Sequence, residues 1–475
     1  MKNYKDNEEK FNESRAINRL LSLSISNSLT IKLAAIEALG KMHDVKAIDR
    51  LLALSISDII DVKLAAINAL GKNGSTKAVD FLLSLSQSNL IDIKISVIDA
   101  LGNTGDIKVI DCLLSMSLSN VISVKVAAIK ALSGIKNIKV IDHLLLLLLS
   151  NNPEVKISVI EALGKLGGVN VIDHLSLLTL SETMIIKIAA IKALGNIKHV
   201  KAVDLLLSLS SSNNLETKFA AIKALGGIGD DKAIDCLLLL SKSDLMDIKL
   251  LAIEALGRTN NIKVIDRLKY LSMDHTLAIK MVAINSLGHF DDVKAVDHLL
   301  SLALSNNQDV KIAAIKALGT TRDIKAIDCL LSLSLSSLTN VKLAAIEALG
   351  KSHGVKVVNH LLTLSMSNTP FIKLAAIEAL GKVGDTKVVD CLLPLSENNA
   401  SSIKLVVINA LGRTKGAKAV DHLLSLSQSN TMNIKLAAIK GLNNTIDTKV
   451  VDCLLSLSFN VVKDVKLAAI EALVK

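Results

Sequence analysis

A lysine recurs at one constant interval along this chain of 475 residues, the interval from Lys32 to Lys63, and no copy is missing as far as Lys466. Each lysine is followed four residues later by an Ile and seven residues later by a Leu, as with Ile36 and Leu39 in the first copy. The fifteen copies follow one another without insertion or deletion. Because a fixed period of about 20 to 50 residues is the signature of stacked repeats, the pattern predicts a repeat array.

The composition and the apolar spacing predict that each repeat is a pair of helices. Aromatic residues make up 2% and hydrophobic residues 50% of the chain, so the core is expected to be aliphatic, a mixture that suits helices. One helix is predicted to begin after Asn27, its N-cap, and to end at Gly40. The Gly40 position is Gly in 12 of 15 copies, which fits a left-handed C-terminal cap. A second helix, antiparallel to the first, is predicted from about Val45 to Ser55.

The totals also bear on domain organisation and location. Residues 1–14 are charged and lack an apolar run, which predicts a polar tail rather than a secretory signal, and residues 15–475 are predicted to form a single continuous array. No stretch approaches the roughly 20 apolar residues of a membrane span. The five cysteines share one position of the repeat and lie at least two repeats apart, too far for an intramolecular disulfide. These features favour the reducing cytoplasm.

The repeat resembles a known family. Its first helix reads IKLAAIEALG from Ile31 and its second reads KAIDRLL from Lys46, and together they are similar to the HEAT-like repeat of the phycobilisome lyase family over residues 15–475. The resemblance implies an all-α fold, a right-handed α-solenoid of about fifteen antiparallel helix pairs with the second helices on its concave face. Proteins of this repeat class include bilin lyases, deoxyhypusine hydroxylases and adaptors, so the fold does not define the activity. The His-Glu pairs of the hydroxylases are missing, since none of the ten His is followed by Glu, and no bilin pocket is evident.

One position of the second helix varies mainly among Arg, His and Cys, and we call its residues the Arg50 row. A zinc site needs about four ligands around one ion, whereas this row offers one ligand per layer with layers about 10 Å apart. No metal site and no cofactor is therefore predicted. Because they vary on the expected concave face, the candidate partner-binding residues are Arg50, His143, His174, His298, Cys329, His360, Cys391 and His422. A second varied position is expected to add specificity through residues such as Ile56, Gln87, Leu118, Met273, Glu397 and Phe459.

The net charge of +10 raises the question of a nucleic-acid partner. Lys46 and Asp49 recur together in almost every repeat, so the second helices are expected to present both signs of charge rather than a positive groove. Aromatic side chains that could stack on bases are almost absent. A nucleic-acid partner is therefore not expected.

An apolar position on the first helix lies opposite the predicted core face, and we call its residues the Leu33 row. The row includes Leu33, Leu64, Ile95, Phe219, Met281 and Leu343. If exposed, it would form a convex apolar ridge suited to self-association, to a docked partner, or to a membrane surface with the lysines of the Lys32 position facing acidic lipid. The opposite expectation is that packing between neighbouring first helices buries much of it.

No singular catalytic site interrupts the repeat, because Ser recurs in every layer without a unique His or Asp beside one copy. The leading interpretation is a non-catalytic scaffold or adaptor that binds a protein partner along the concave face. Two alternatives stay open. One is an enzyme of the bilin lyase or deoxyhypusine hydroxylase type, and the other is a peripheral membrane or self-assembling protein that acts through the Leu33 row.

Overall fold

The computed structural model describes residues 14–397, 400–414, 416–443, 445 and 447–473. The regular structure of these residues is helical throughout, without a strand, which confirms the predicted all-α class. The polar tail predicted at the N-terminus lies outside the described residues except for its last position.

Repeats 1 to 14 each contribute a first helix and a second helix, and repeat 15 contributes a first helix; the repeats are numbered after their first helices. The first helices are Leu29–Leu39, Ile60–Asn73, Ile91–Thr104, Ile122–Leu132, Pro153–Leu166, Met184–Ile197, Leu215–Ile228, Met246–Arg258, Leu277–Leu287, Gln308–Leu318, Thr339–Leu349, Pro370–Val383, Ser401–Thr414, Met432–Gly441 and Lys463–Ala472. A helix of residues 14–23 precedes repeat 1. The second helices of the repeats are Val45–Leu54, Thr76–Leu85, Ile110–Met116, Ile138–Leu147, Val169–Leu178, Val200–Ser210, Asp231–Leu240, Ile265–Leu271, Val293–Ala303, Ile324–Leu333, Val355–Ser365, Val389–Leu395, Ala417–Leu426 and Thr448–Leu457. Three of them are preceded by a 3₁₀ turn, at Ile107–Val109, Ile262–Val264 and Thr386–Val388.

The helices form two compact units, which we call the first unit, residues 1–166 with 395–475, and the second unit, residues 167–394. Inside each unit, a second helix packs against the first helix that follows it, and each first helix packs against the first helices of neighbouring repeats. Apolar residues recur at helical spacing, so every helix carries a stripe that these contacts cover. Each unit is therefore a layered α-solenoid.

The core of each layer is aliphatic, as the composition predicts. Ile36 of the first helix and Leu51 of the second are fully buried, and their counterparts in the other repeats are at most 2% exposed. Burying one such side chain stabilises the fold by about 1.5–3 kcal/mol. Neighbouring layers supply much of that cover, so the stability of a repeat depends on the repeats beside it.

The predicted N-cap of the first helix is wrong by one residue. The cap is Ser28 rather than Asn27. In repeats 7 and 10 this position is an asparagine, and the side chains of Asn214 and Asn307 accept hydrogen bonds from backbone N–H groups of the first turn. The polar residues of the turn are consecutive, so the sequence pattern alone did not decide which one ends the turn.

The predicted left-handed cap at the Gly40 position is also wrong. Gly40 has a φ of −64°, a right-handed helical value. Where the first helix runs three residues further, the left-handed glycine comes later, as at Gly74. A Cβ atom on Gly40 would lie 2.7 Å from the Cβ and 2.8 Å from the Cα of Ala69 in the next repeat. Since carbon atoms in contact are about 3.5–4.0 Å apart, this glycine allows neighbouring first helices to approach closely.

Candidate protein-binding face

The face formed by the second helices carries the Arg50 row, and most members of the row are half-buried. Arg50 donates a hydrogen bond from Nε to the Oγ of Ser24, 26 residues earlier, at 2.8 Å. The Nε2 of His298 makes the equivalent bond to the Oγ of Ser272 at 2.6 Å. Equivalent side-chain contacts to a serine 26 residues earlier are made by His143, Cys236, Arg267, His360, His422 and Cys453. The row therefore links neighbouring repeats.

The serines of this contact share one position of the repeat. We call their position the Ser24 row, and all of its members except Leu148 and Ala303 are Ser or Thr. The buried hydroxyl of Ser117, for example, donates to the carbonyl oxygen of Leu114 at 2.7 Å. Its only hydrogen is then in use, so its oxygen accepts a hydrogen bond from the Nε2–H of His143. Arg, His and Cys all offer a donor to this oxygen, whereas Phe81 and Leu205, which stand opposite Ser55 and Thr179, do not.

At two places in the Arg50 row, the residue 26 positions earlier in the Ser24 row has no hydroxyl group. His174 has Leu148 at that position, and its Nδ1 instead donates to the carbonyl oxygen of Asn170 on its own helix at 3.0 Å. The side chain of His174 is exposed. Cys329 has Ala303 at that position, and burial raises the pKa of its thiol. Neither side chain therefore has a hydroxyl of the preceding repeat to bind.

Burial lowers the pKa of the histidines that bind the Ser24 row. These are His143, His298, His360 and His422. The ammonium group of Lys269 adds to the lowering at His298. At His422, burial is the main cause, Glu397 opposes it by favouring the charged ring, and Lys404 adds to it. A lowered pKa favours the neutral ring, and the serine oxygen that accepts from Nε2 then fixes the single ring proton on that nitrogen.

A row of exposed apolar side chains follows the C-terminal ends of the second helices, and we call its residues the Ile56 row. Its ten large apolar members are 54% to 81% exposed, and they are Ile25, Ile56, Leu118, Leu149, Leu180, Met273, Leu304, Leu335, Met366 and Phe459. The row adjoins the Arg50 row of the next repeat, since Nε2 of Gln428 donates to Sγ of Cys453 at 3.6 Å. Glu397 likewise lies close enough to His422 to influence its pKa. Extended apolar surface of this kind marks interaction sites on soluble proteins.

The Lys46 and Asp49 positions form ion pairs between neighbouring repeats. Nζ of Lys232 lies 2.7 Å from Oδ1 of Asp204, and Nζ of Lys325 lies 2.9 Å from Oδ1 of Asp297. Hydrogen bonds to these carboxylates raise the pKa of both lysines. The same pairing joins Lys77 to Asp49, Lys139 to Asp111, Lys201 to Asp173, Lys356 to Asp328 and Lys449 to Asp421. The second helices therefore present paired charges, and such exposed pairs add little stability.

The Leu33 row is half-buried. This holds for Leu33, Leu64, Ile95, Phe219, Met281 and Leu343 alike. The neighbouring Ile36 position, which a convex ridge would have included, is fully buried in every repeat. In the first unit, Leu33, Leu64 and Leu467 line a shallow groove between first helices. Packing between first helices thus covers a large part of this row.

Three further findings concern the described part of the chain. No three His, Cys, Asp or Glu side chains in it come together as metal ligands would. None of its helices has both the length and the apolar character needed to cross a membrane. The five cysteines, all within it, form no disulfide.

The Ser24 row is the part of this face that sequence analysis missed. A signal for it exists, because a hydroxyl residue stands at this position before nearly every Arg, His or Cys of the Arg50 row. The exposure of the Ile56 row was also not evident from the sequence, which showed only that the position varies.

The fold and its layered faces define the chain as an α-solenoid of the repeat-scaffold class. A family model for HEAT repeats matches residues 53–121, 176–247, 298–373 and 364–434, more than half of the chain. A model for the PBS lyase HEAT-like repeat matches residues 31–56. The chain belongs to the HEAT-repeat proteins, and the resemblance read from its sequence is confirmed.

Several solved structures are similar to this chain. Kap95p, in a complex with RanGDP, is 13% identical over 97% of this chain and 76% of that chain, with a TM-score of 0.44. The complex of CpcE and CpcF of phycocyanin lyase from Nostoc gives a match that is 20% identical over 50% of this chain and 91% of that chain, with a TM-score of 0.32. Human deoxyhypusine hydroxylase is 15% identical over 58% of this chain and 96% of that chain, with a TM-score of 0.26. No curated protein sequence matches the chain.

Proposed function

We propose that this protein is a non-catalytic scaffold that binds a protein partner along the face of its second helices, in the cytoplasm. The observation that carries this proposal is the exposed Ile56 row beside the Arg50 row. Both positions change from repeat to repeat while the core positions stay constant, so each layer offers a partner a different contact on the same support. A partner that lies across several layers is then recognised by the order of these side chains.

The two rows have different parts in this proposal. The Arg50 row supplies side chains in fixed positions, because most of them are held by hydrogen bonds to the preceding repeat. Its candidate partner-binding residues are Arg50, His143, His174, His298, Cys329, His360, Cys391 and His422. The Ile56 row supplies apolar area, and burying one of its side chains under a partner contributes about 1.5–3 kcal/mol. A partner must bury several of these side chains, since association itself costs about 4–15 kcal/mol.

The half-buried Leu33 row favours this face over the first-helix face. A ridge that neighbouring first helices already cover offers a partner less apolar area than side chains of the Ile56 row do. The free thiols agree with the proposed cytoplasmic location, where cysteines stay reduced.

The test compares two quadruple variants built on the same four second helices of the second unit. The first changes the Ile56 row to Gln at Met273, Leu304, Leu335 and Met366. The control changes to Gln the first residue of three of these helices, Val293, Ile324 and Val355, and the first residue of the 3₁₀ turn before the fourth, Ile262. The control residues are 58% to 73% exposed, so both variants remove similar apolar surface.

Tagged wild type and both variants are used to capture partners from native cells, and circular dichroism verifies that each variant folds. We expect a partner that binds the wild type and the control and that loses about tenfold or more in affinity for the Ile56-row variant, equivalent to about 1.4 kcal/mol. A partner retained by the Ile56-row variant, or lost only from the control, would place binding elsewhere.

A further inference from the structure

The helix of residues 14–23 packs against the second helix of repeat 14, in the way that a second helix of repeat 15 would. Nε of Arg19 donates to Oγ of Ser458 at 2.7 Å, and Nη2 of Arg19 donates to the carbonyl oxygen of Ser458 at 2.9 Å. Arg267 makes the same two bonds to Ser241, at 2.8 and 2.9 Å. Arg19 and Ser458 are 439 residues apart in the sequence, whereas Arg267 and Ser241 are 26 apart. A contact between neighbouring repeats is thus reproduced by residues from distant parts of the chain.

Two further contacts at this joint follow the interior pattern. Arg15 stands at the Lys46 position of its helix and pairs with Asp452 at the Asp49 position of repeat 14, as Lys232 pairs with Asp204. The first helix of repeat 15 also contacts the first helix of repeat 1, as the first helices of consecutive repeats do. In addition, the guanidinium carbon of Arg19 lies 3.3 Å from the centre of the Phe459 ring.

The buried side of this helix matches that of an interior second helix. Its Ala16, Ile17, Leu20 and Leu23 are each at most 5% exposed. They occupy the same positions of the repeat as Ala47, Ile48, Leu51 and Leu54, which form the buried stripe of the second helix of repeat 1. The helix therefore has the polar and the apolar contacts of an ordinary second helix.

The joint differs from an interior repeat in its connection. An interior second helix follows its first helix after a turn of a few residues, but the helix of residues 14–23 has no such link to Lys463–Ala472. Separating these two elements breaks only noncovalent contacts. An identical helix from another molecule could make the same contacts, which is the condition for exchange of an element between copies.

We propose that this joint is an interaction surface for a second copy of the chain, in which the helix of residues 14–23 of one copy docks on the second helix of repeat 14 of another. The same ion pair and the same hydrogen bonds to Ser458 hold both the intramolecular and the intermolecular form. A tethered element has an effective concentration on the order of millimolar, so the intramolecular form dominates in dilute solution. The intermolecular form increases with protein concentration and joins copies head to tail. This proposal does not depend on the partner-binding face.

Carbodiimide crosslinking of isotopically mixed full-length protein tests the proposal. The Arg15→Lys variant places at this position the residue type that interior repeats carry, and the zero-length reagent can then join its amine to the carboxylate of Asp452. Copies labelled with ¹⁴N and with ¹⁵N are mixed in equal amounts, incubated over a range of concentrations, crosslinked and digested for mass spectrometry. The matched control in the same sample is the interior crosslink between Lys232 and Asp204, and adding Asp452→Asn to the variant identifies the joint crosslink by its loss.

We expect joint crosslinks within one isotope in dilute samples and a mixed-isotope fraction that rises with concentration toward one half. The Lys232 to Asp204 crosslink should stay within one isotope throughout. If the mixed fraction at the joint never exceeds that of the interior crosslink, the joint is not an intermolecular interface and the proposal is wrong. If the interior crosslink forms and the joint crosslink does not, the docking of the helix on repeat 14 is itself wrong. Adding Arg19→Ala removes both hydrogen bonds to Ser458 and should lower the yield of the joint crosslink alone.

Discussion

Gly226 and Gly227 are neighbours in one helix, yet a methyl group added to each meets different surroundings. A Cβ atom on Gly226 would lie 2.7 Å from the Cβ and 2.8 Å from the Cα of Ala255, in the first helix of the next repeat. A Cβ atom on Gly227 would have no neighbouring atom within 4 Å. Both glycines lie inside Leu215–Ile228, so the pair separates the effect of close helix packing from that of helix propensity.

The two substitutions are expected to change stability in opposite directions. Replacing Gly by Ala inside a helix stabilises it by about 0.5–1 kcal/mol, because Gly loses more conformational freedom on folding. At Gly226 the new contacts would be roughly 1 Å shorter than an ordinary carbon contact, and overpacking of this kind costs about 1–3 kcal/mol. Gly227→Ala should therefore raise the free energy of unfolding by about 0.5–1 kcal/mol, and Gly226→Ala should lower it by about 0.5–2 kcal/mol.

Denaturant unfolding followed by circular dichroism measures the difference between the variants, and it should be combined with native-state hydrogen exchange because a solenoid can open in parts. Gly226→Ala should speed exchange in Leu215–Ile228 and Met246–Arg258. The double variant Gly226→Ala, Ala255→Gly should regain part of the loss, since it removes the opposing Cβ. Equal stability and equal exchange for Gly226→Ala and Gly227→Ala would refute the reasoning, because the glycine position would then have no role in helix spacing.

Two further predictions concern the bonds between the Arg50 and Ser24 rows. Ser272→Ala removes the acceptor for the Nε2–H of His298, whereas Ser55→Ala removes a hydroxyl whose counterpart in the Arg50 row is Phe81. Denaturant unfolding should therefore show that Ser272→Ala lowers the free energy of unfolding by about 0.5–1.5 kcal/mol more than Ser55→Ala does. Equal losses in the two variants would argue against the bond. Burial holds the pKa of the row histidines below the ordinary value of about 6.5, so their contribution to stability is complete above that pH and is lost as the pH falls through the lowered values. In a variant whose row histidines are replaced by Cys, the uncharged donor that other repeats carry, the melting temperature should therefore fall less between about pH 7 and 5 than it does in the wild type. An equal fall in the two proteins would contradict this account. The positions changed to Cys in that variant are His143, His298, His360 and His422.

Much of the fold follows from the sequence because its causes are local. A helix needs only a suitable run of residues, and the constant period of the repeat placed each pair of helices and each buried row, such as the fully buried Ile36 and Leu51 positions. The alternation at the Arg50 row was also visible, but the bonds that its side chains make were not. Cys329 and His360 look alike as variable residues until the corresponding members of the Ser24 row, Ala303 and Ser334, are known to lie beside them.

The sequence by itself determined that the chain is an all-α repeat protein with an aliphatic core, since periodicity and composition suffice for that. Only the tertiary structure decided what the recurrent features do. Gly40 proved to allow contact with Ala69 instead of capping its helix, because the nearest atoms belong to another repeat. The Ile56 row proved exposed and the Leu33 row half-buried, because the cover that each receives depends on how neighbouring helices pack. The bond from Arg19 to Ser458 joins residues 439 positions apart, and no local pattern can predict which distant segments meet.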